Sequence, residues 1–316
     1  EQMLSRTADH LYWMARYMER AENISRLLDV NYRLSLMPQP GDQLDKAWAA
    51  TLRIMGLDEL YWEKYDEITP ENVFDLMIFD RENLSSTWNC LRAARENAHA
   101  VRGTITSELW ETMNGTWLKM RDFTPAALAD IEVSEFFEWV KFRSHLSRGV
   151  TIGTMLQDEA WRFTRIGTFL ERADNTARIL DVKYQLLLPA GEVEGGAADY
   201  YQWSALLRSV SAFEVYRKVY RDIITPARVA ELLLLRADMP RSLARCMQEV
   251  YGNLQKLGNS RSAETERRAG EMDASLRFGR VDDIMRGGLH NYLVKVLARV
   301  QDISNRIAND FLVPVS

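Results

Sequence analysis

A chain of 316 residues, 47% apolar and 27% charged, has the composition of an ordinary globular protein, and at this length buries roughly three-quarters of its unfolded surface. A net charge of −5 speaks against a general nucleic-acid binder, leaving only a local basic groove open. Two cysteines are too few for a disulfide scaffold or a structural zinc site, and no apolar run approaches the ~20 residues that span a bilayer.

The opening residues EQMLSRTADHLYW lack a hydrophobic signal core, so a cytoplasmic protein is expected, with Met3 as its natural start. Residues 4–36 contain neither Gly nor Pro and run into MPQPG, a helix stop followed by a turn. That helix reaches about 50 Å. Thr-Pro pairs at Thr69-Pro70, Thr124-Pro125 and Thr225-Pro226 each place a capping hydroxyl just before a proline at the first helical position. No alternating strand pattern occurs. The expected class is all-α, with ten to a dozen helices. The stretch SRGVTIGTM (147–155) reads as a boundary, and LGNSRSAETERRAGEMDAS (257–275) as a flexible segment.

The chain repeats itself. MERAENISRLLDVNYRL (18–34) and LERADNTARILDVKYQL (170–186) agree at an offset of 152 residues. Beyond small drifts, WAATLR (48–53) answers WSALLR (203–208), Ile68-Thr69-Pro70 answers Ile224-Thr225-Pro226, and Cys90 answers Cys246. Drift between matched blocks is what loop-length change produces. Two copies suit an internally duplicated helical bundle rather than a solenoid: residues 1–150 and 151–316 as similar halves related by a pseudo-twofold axis.

On the first long helix, Trp13, Tyr17, Met18, Ala21, Ile24, Leu28 and Tyr32 share one arc. The opposite arc carries Arg16, Glu19, Asn23 and Arg26, with Tyr12 and Arg20 beside it. Its counterpart carries Glu171, Asn175 and Arg178, with Arg172 beside it. A solvated face supported by Glu22–Arg26 and Asp174–Arg178 pairs is one reading. Yet the charged residues recur unchanged while apolar ones swap, Ile24 for Thr176 and Leu27 for Ile179. Two further readings are therefore open: a buried polar network pairing the two helices, or a cleft whose arginines take a carboxylate or phosphate.

These residues also resemble the alpha-E domain family, helical domains with a Glu-Arg motif. The resemblance runs from MLSRTADHLYWMARYMERAENISRLLDV through DRENLSSTWNCLRAARENAHAVR to YQWSALLRSVSAFEVYRKVY. The motif falls on Glu19-Arg20 and Glu171-Arg172, while Thr168 stands where the first half has Arg16. Members are typically encoded beside a circularly permuted ATP-grasp protein and a transglutaminase-like protein. The resemblance implies an ATP-grasp ligase partner and a part in amide- or peptide-bond chemistry.

Other chemistry is sparse. Glu96-x-x-His99 has di-iron spacing, but Gly252 stands at the duplicated position. There is no P-loop, no dinucleotide glycine fingerprint, no His-Glu-x-x-His and no Gly-x-Ser-x-Gly. No cofactor or metal is implied. Cys90 and Cys246 read as buried small side chains, Trp48 and Trp203 as core. Asp80 and Arg81 open a DRENLSS turn whose counterparts, Arg236 and Ala237, differ; they join the candidate ligand-binding residues. Two functions follow: a partner or co-catalytic module of an ATP-grasp system with a peptide or amino-acid ligand, or an independent enzyme acting on a small carboxylate or peptide substrate.

Overall fold

The computed structural model describes residues 3–36, 43–185 and 193–312, and no strand occurs among them. The expected helix stop at MPQPG lies outside the described residues. The first long helix, α1 (Ser5–Ser35), leads into α2 (Gln43–Ile54), α3 (Asp58–Lys64) and α4 (Pro70–Phe74). Then come α5 (Thr87–Ala100), α6 (Ser107–Met120), α7 (Pro125–Ala129) and α8 (Val133–Thr154). The second long helix, α9 (Glu159–Gln185), is followed by α10 (Ala197–Ser209), α11 (Phe213–Tyr220) and α12 (Pro226–Ala230). The chain finishes with α13 (Leu243–Leu257), α14 (Ala263–Arg277), α15 (Val281–Gly287) and α16 (Leu289–Ile307). The sixteen helices among the described residues exceed the expected ten to a dozen; eleven have eight residues or more, and the other five have seven or fewer.

All three Thr-Pro pairs act as expected. The hydroxyls of Thr69, Thr124 and Thr225 accept from the backbone N–H groups of Asn72, Ala127 and Arg228 at 3.1, 3.1 and 3.3 Å. Two of these turns share a longer local geometry. The Tyr61 hydroxyl donates to the Glu67 carbonyl and accepts from the Thr69 N–H, while the Tyr216 hydroxyl donates to Ile223 and accepts from Thr225. Each capped helix then widens into a π-turn, Asp75–Phe79 and Glu231–Leu235, whose first acidic residue accepts from Tyr65 or Tyr220.

The core is built on the long helices. α1 packs against α9; α5 and α8 flank α1, while α13 and α16 flank α9. α10 crosses onto α1 and α2 onto α9. At the α1–α9 crossing Ala15 is buried and Gly167 lies so close to the Tyr12 carbonyl that a Cβ there would collide with it. Small residues let the two backbones approach, which brings long polar side chains of each helix within reach of the other. Trp48 and Trp203 lie in the core as expected.

One expectation needs correction, for 257–275. The stretch SRGVTIGTM, read as a boundary, forms the last turns of α8, and that helix ends at Met155, ahead of α9. Its glycines sit on the exposed face, where they cost helix propensity without interrupting the hydrogen-bond ladder. The stretch 257–275 is mostly helix α14, anchored by buried Thr265, Ala269, Met272 and Asp273. Its apolar positions are few and small, which hid the periodicity beneath many charges.

Candidate functional site

From Met18 to Asp29, α1 is buried nearly all round, on its polar arc as well as its apolar one. This overturns the solvated-face reading: Glu19 is 2% exposed and Glu22 is fully buried. The charges sit in two clusters between α1 and α9.

In the first cluster Glu19 is the centre. Its carboxylate takes a forked pair from Arg172, at 2.9 and 3.3 Å, and a hydrogen bond from Arg148 Nη1 at 2.9 Å. Arg241 Nη1 approaches at 3.4 Å. Glu22, one turn on, accepts from Arg148 Nη2 at 2.9 Å and from Arg241 Nη2, with Arg26 Nε 3.6 Å away. Asn23 accepts from Arg241 at 3.2 Å. Arg26 donates from Nη1 to the Ser211 hydroxyl and the Ser209 carbonyl at the end of α10. His145 on α8 closes the cluster toward solvent, its ring nitrogens 2.6 Å from Arg148 and 3.4 Å from Arg26. Burial alone would raise the Glu19 carboxyl, but Arg172, Arg148 and Arg241 outweigh it and hold it far below the usual carboxylate range. Burial, with no sufficient counter-charge, pulls Arg26 down to about 10, and burial together with Arg148 and Arg26 pulls His145 down to about 4.

The second cluster is smaller and shallower. Glu171 accepts from Arg16 Nε at 2.8 Å and from Arg20 Nε at 2.7 Å, with Arg20 Nη2 at 3.2 Å. Arg16 also donates to the Tyr12 hydroxyl and lies over the Trp13 ring; Arg20 donates to Ser85 and lies over Tyr17. Burial opposes ionisation of Glu171, yet Arg16 and Arg20 bring its carboxyl down to about 2. Here Arg20 reaches water, its side chain 21% exposed.

Of the expected site residues, Arg26, Glu19, Asn23 and Arg172 come together in the first cluster, and Arg16, Arg20 and Glu171 in the second. Asn175 is buried, with its side-chain NH2 unpartnered. Arg178 stands apart, paired to Asp174 at 2.7 Å and capping α2 through the Ile54 carbonyl at 2.9 Å. Asp80 and Arg81 join neither cluster. Asp80 caps its own turn through Glu82 and Asn83 and pairs with Lys64, while Arg81 lies over the Trp88 ring. Sequence reading missed Glu22 as a buried centre and missed Arg148 and Arg241 altogether; His145 reads from sequence only as a surface or hydrogen-bonded residue. One signal was available: Arg241 stands where the sequence match pairs it with Ser85, a charge opposite a small polar residue.

The thiols of Cys90 and Cys246 are fully buried and pushed up to about 12 by that burial, so neither is an activated nucleophile. Glu96 pairs only loosely with Arg92 on the surface of α5. Among the described residues no group of three or more metal-ligating side chains converges, and no helix is long and apolar enough to cross a membrane. A cleft of about 960 Å³ lies away from both clusters, between the start of α1, the α13–α14 turn and the π-turn Ala308–Leu312.

Comparison with known proteins returns a helical family. The family described as "a predicted alpha-helical domain with a conserved ER motif" matches residues 3–312. An uncharacterized protein of Mycobacterium tuberculosis and one of Mycobacterium bovis are each 27% identical over 317 aligned positions, covering 93% of this chain and 35% of the relative. The chain thus spans about a third of the length of the curated relatives it matches. No solved structure matches.

Proposed function

The chain belongs to the Alpha-E family, and on that premise we propose that it is a helical partner of an ATP-grasp ligase in an amide- or peptide-bond-forming system, holding a carboxylate- or phosphate-bearing ligand at its Glu-Arg clusters. The observation that supports this most is the charge balance of the first cluster. Arg26, Arg148, Arg172 and Arg241 meet Glu19 and Glu22 as the carboxylates within 4 Å among the described residues, four positive groups to two negative. Guanidinium without a counter-charge is costly inside a protein. An anion with two acceptor oxygens matches the fork that Arg presents. Arg26, whose Nε has no hydrogen-bond partner, and Arg148 lie behind half-exposed His145, and these are the members a ligand reaches from solvent.

The same proposal includes the internal symmetry. Residues 1–150 and 151–316 are two repeats related by an approximate twofold rotation, supported by the reciprocal pairs Glu19–Arg172 and Glu171–Arg20. The protein works in the cytoplasm, with a transglutaminase-like protein as a further partner and a peptide or amino acid as the ligand.

Co-purification with the ATP-grasp protein, followed by an amide-formation assay with and without this chain, tests the reading. Direct binding is expected, with amide formation dependent on the chain and no ATPase activity from it alone. Arg20→Lys and Arg172→Lys keep charge but lose the planar fork; both should fold and sharply lower the activity of the combined system. Full activity from both folded variants would make the clusters purely structural. Turnover of a small carboxylate or peptide by the chain alone would favour an independent enzyme instead.

A further inference from the structure

A basic, aromatic surface lies on the α5–α6 pair, built from residues of neither cluster. Trp88 on α5 meets Trp117 on α6 edge to face at 4.8 Å, and His99 meets Trp110 at 5.5 Å; all three indoles are half-buried. Arginines lie over two of these rings. Arg81 and Arg92 cover Trp88 at 4.3 and 5.3 Å, while Arg95 and Arg102 cover Trp110 at 5.1 and 5.9 Å. Among the described residues no carboxylate comes within 4 Å of Arg81, Arg95 or Arg102, and Arg92 has only Glu96 at 3.9 Å. Stacking uses the flat face of a guanidinium and leaves its N–H edge available for an anion.

The pairing of the two helices does not require this arrangement. α13 and α14 pack on each other as α5 and α6 do. At the offset of 156 residues set by Cys90 and Cys246, the bridge from Arg95 to Asn114 is answered by Tyr251 packed on Gly270. There Trp88 is answered by Ala244, Arg92 by Gln248 and Arg102 by Gly258, while Trp110 and Trp117 are answered by Glu266 and Asp273. One helical pair holds without the stacked arginines, and the other carries four of them on an open face.

We propose that this face docks an acidic peptide segment of a partner protein, whose carboxylates take the free N–H edges of Arg81, Arg92, Arg95 and Arg102. Four guanidiniums beside one distant carboxylate form the positive half of such a contact, and their planar forks match carboxylate geometry. Along α5 they span about 20 Å, the length of about six extended residues. Nucleic acid fits less well. Single strands are held by bases stacked on open aromatic faces, and each of these two indoles already carries two guanidiniums. Arg81, which joins neither Glu-Arg cluster, gains a ligand here.

The test uses the full chain and fluorescein-labelled hexaglutamate, read by anisotropy at low and physiological salt. Saturable binding is expected, weakening as salt rises. Arg81→Glu combined with Arg102→Glu should weaken it by roughly tenfold or more, since both charges at the contact are reversed. Arg286→Glu combined with Arg299→Glu, which changes the net charge equally on α15 and α16, should leave it unchanged. Should the first variant unfold, Arg81→Gln with Arg102→Gln keeps a flat polar group over each indole and carries the test. No binding, or equal loss in both charge-reversed variants, overturns the proposal. Binding that survives at Arg81 and Arg102 places the peptide elsewhere and overturns it too. Tighter binding of a single-stranded oligonucleotide of equal charge would make the face a nucleic-acid site instead.

Discussion

The two Glu-Arg clusters grow from one repeated sequence word and end in different environments. Each carboxylate takes an arginine from the other long helix, Glu19 from Arg172 and Glu171 from Arg20. What surrounds each pair is not repeated. α8 brings Arg148 to Glu19 and His145 to Arg148, and the residue before Ser242 is Arg241; at the other cluster the matching residue is Ser85, and Arg16 comes from α1 itself. The repeat supplies the cross-helix pair, and the unrepeated neighbours decide how deep and how positive the site becomes.

The sharpest test of that difference is removal of each central carboxylate. Glu19→Ala strands Arg172, Arg148 and Arg241 in the interior and is expected to cost ~3–5 kcal/mol. Glu22→Ala falls in the same range, since it leaves the same Arg148 and Arg241 short of a partner. Glu171→Ala should cost less, about 1–3 kcal/mol, because Arg16 and Arg20 can turn toward water. Urea unfolding of the three variants measures the order. Equal losses at Glu19 and Glu171 would erase the distinction between the clusters.

Acid should act on the clusters in two pH windows, an upper one set by His145 and a lower one shared by Glu171 and Glu19. Glu171 ordinarily titrates near 4.5 and is held at about 2 in the folded chain. The unfolded chain therefore takes up its proton first as pH falls. Its contribution, on the order of 3 kcal/mol, is complete above about 4.5 and is lost as pH drops toward 2. His145 ordinarily titrates near 6.5 and is pushed to about 4, so the folded chain again binds fewer protons and stability erodes between those values. Folding stability measured across the pH range should fall in both windows. His145→Gln should flatten the upper one, and Glu171→Gln should make the lower one shallower, where Glu19 also contributes. An unchanged upper slope in His145→Gln would assign the upper window to another group.

How much of this was legible follows from where each residue sits in the chain. The Thr-Pro caps are local, a hydroxyl and an N–H three residues apart, and sequence located all three. Thr69→Ala and Thr225→Ala should each cost about 1 kcal/mol, alike in both halves because the whole turn is repeated. The cross-helix pairs were half legible: their residue types were plain, but three readings stayed open because burial is decided by what packs outside the helix. Arg148 lies 129 residues from Glu19 and Arg241 lies 219 from Glu22. Neither belongs to the repeated word, so no periodicity connects them to it. α14 was missed for the opposite reason, since its charges mask a narrow stripe of small buried residues.

The smallest effect completes the comparison at one pair of matched positions. Glu22 and Asp174 occupy the same place in the repeat, and each has an arginine four residues on, Arg26 and Arg178. On sequence they are the same helical ion pair. In the structure Glu22 is wholly buried, while Asp174 is about a quarter exposed and Arg178 more so. Arg178 also keeps its bond to the Ile54 carbonyl without Asp174. Asp174→Ala therefore removes only a partly solvated pair, about 0.2–0.5 kcal/mol, against several kcal/mol for Glu22→Ala. Raising salt should weaken the Asp174 pair and leave Glu22 nearly untouched, because a buried pair is poorly screened. Denaturation of both variants at low and high salt reads the two differences together. A large, salt-insensitive loss at Asp174 would mean that the second cluster extends as deep as the first, and that the asymmetry between the halves is smaller than their neighbours imply.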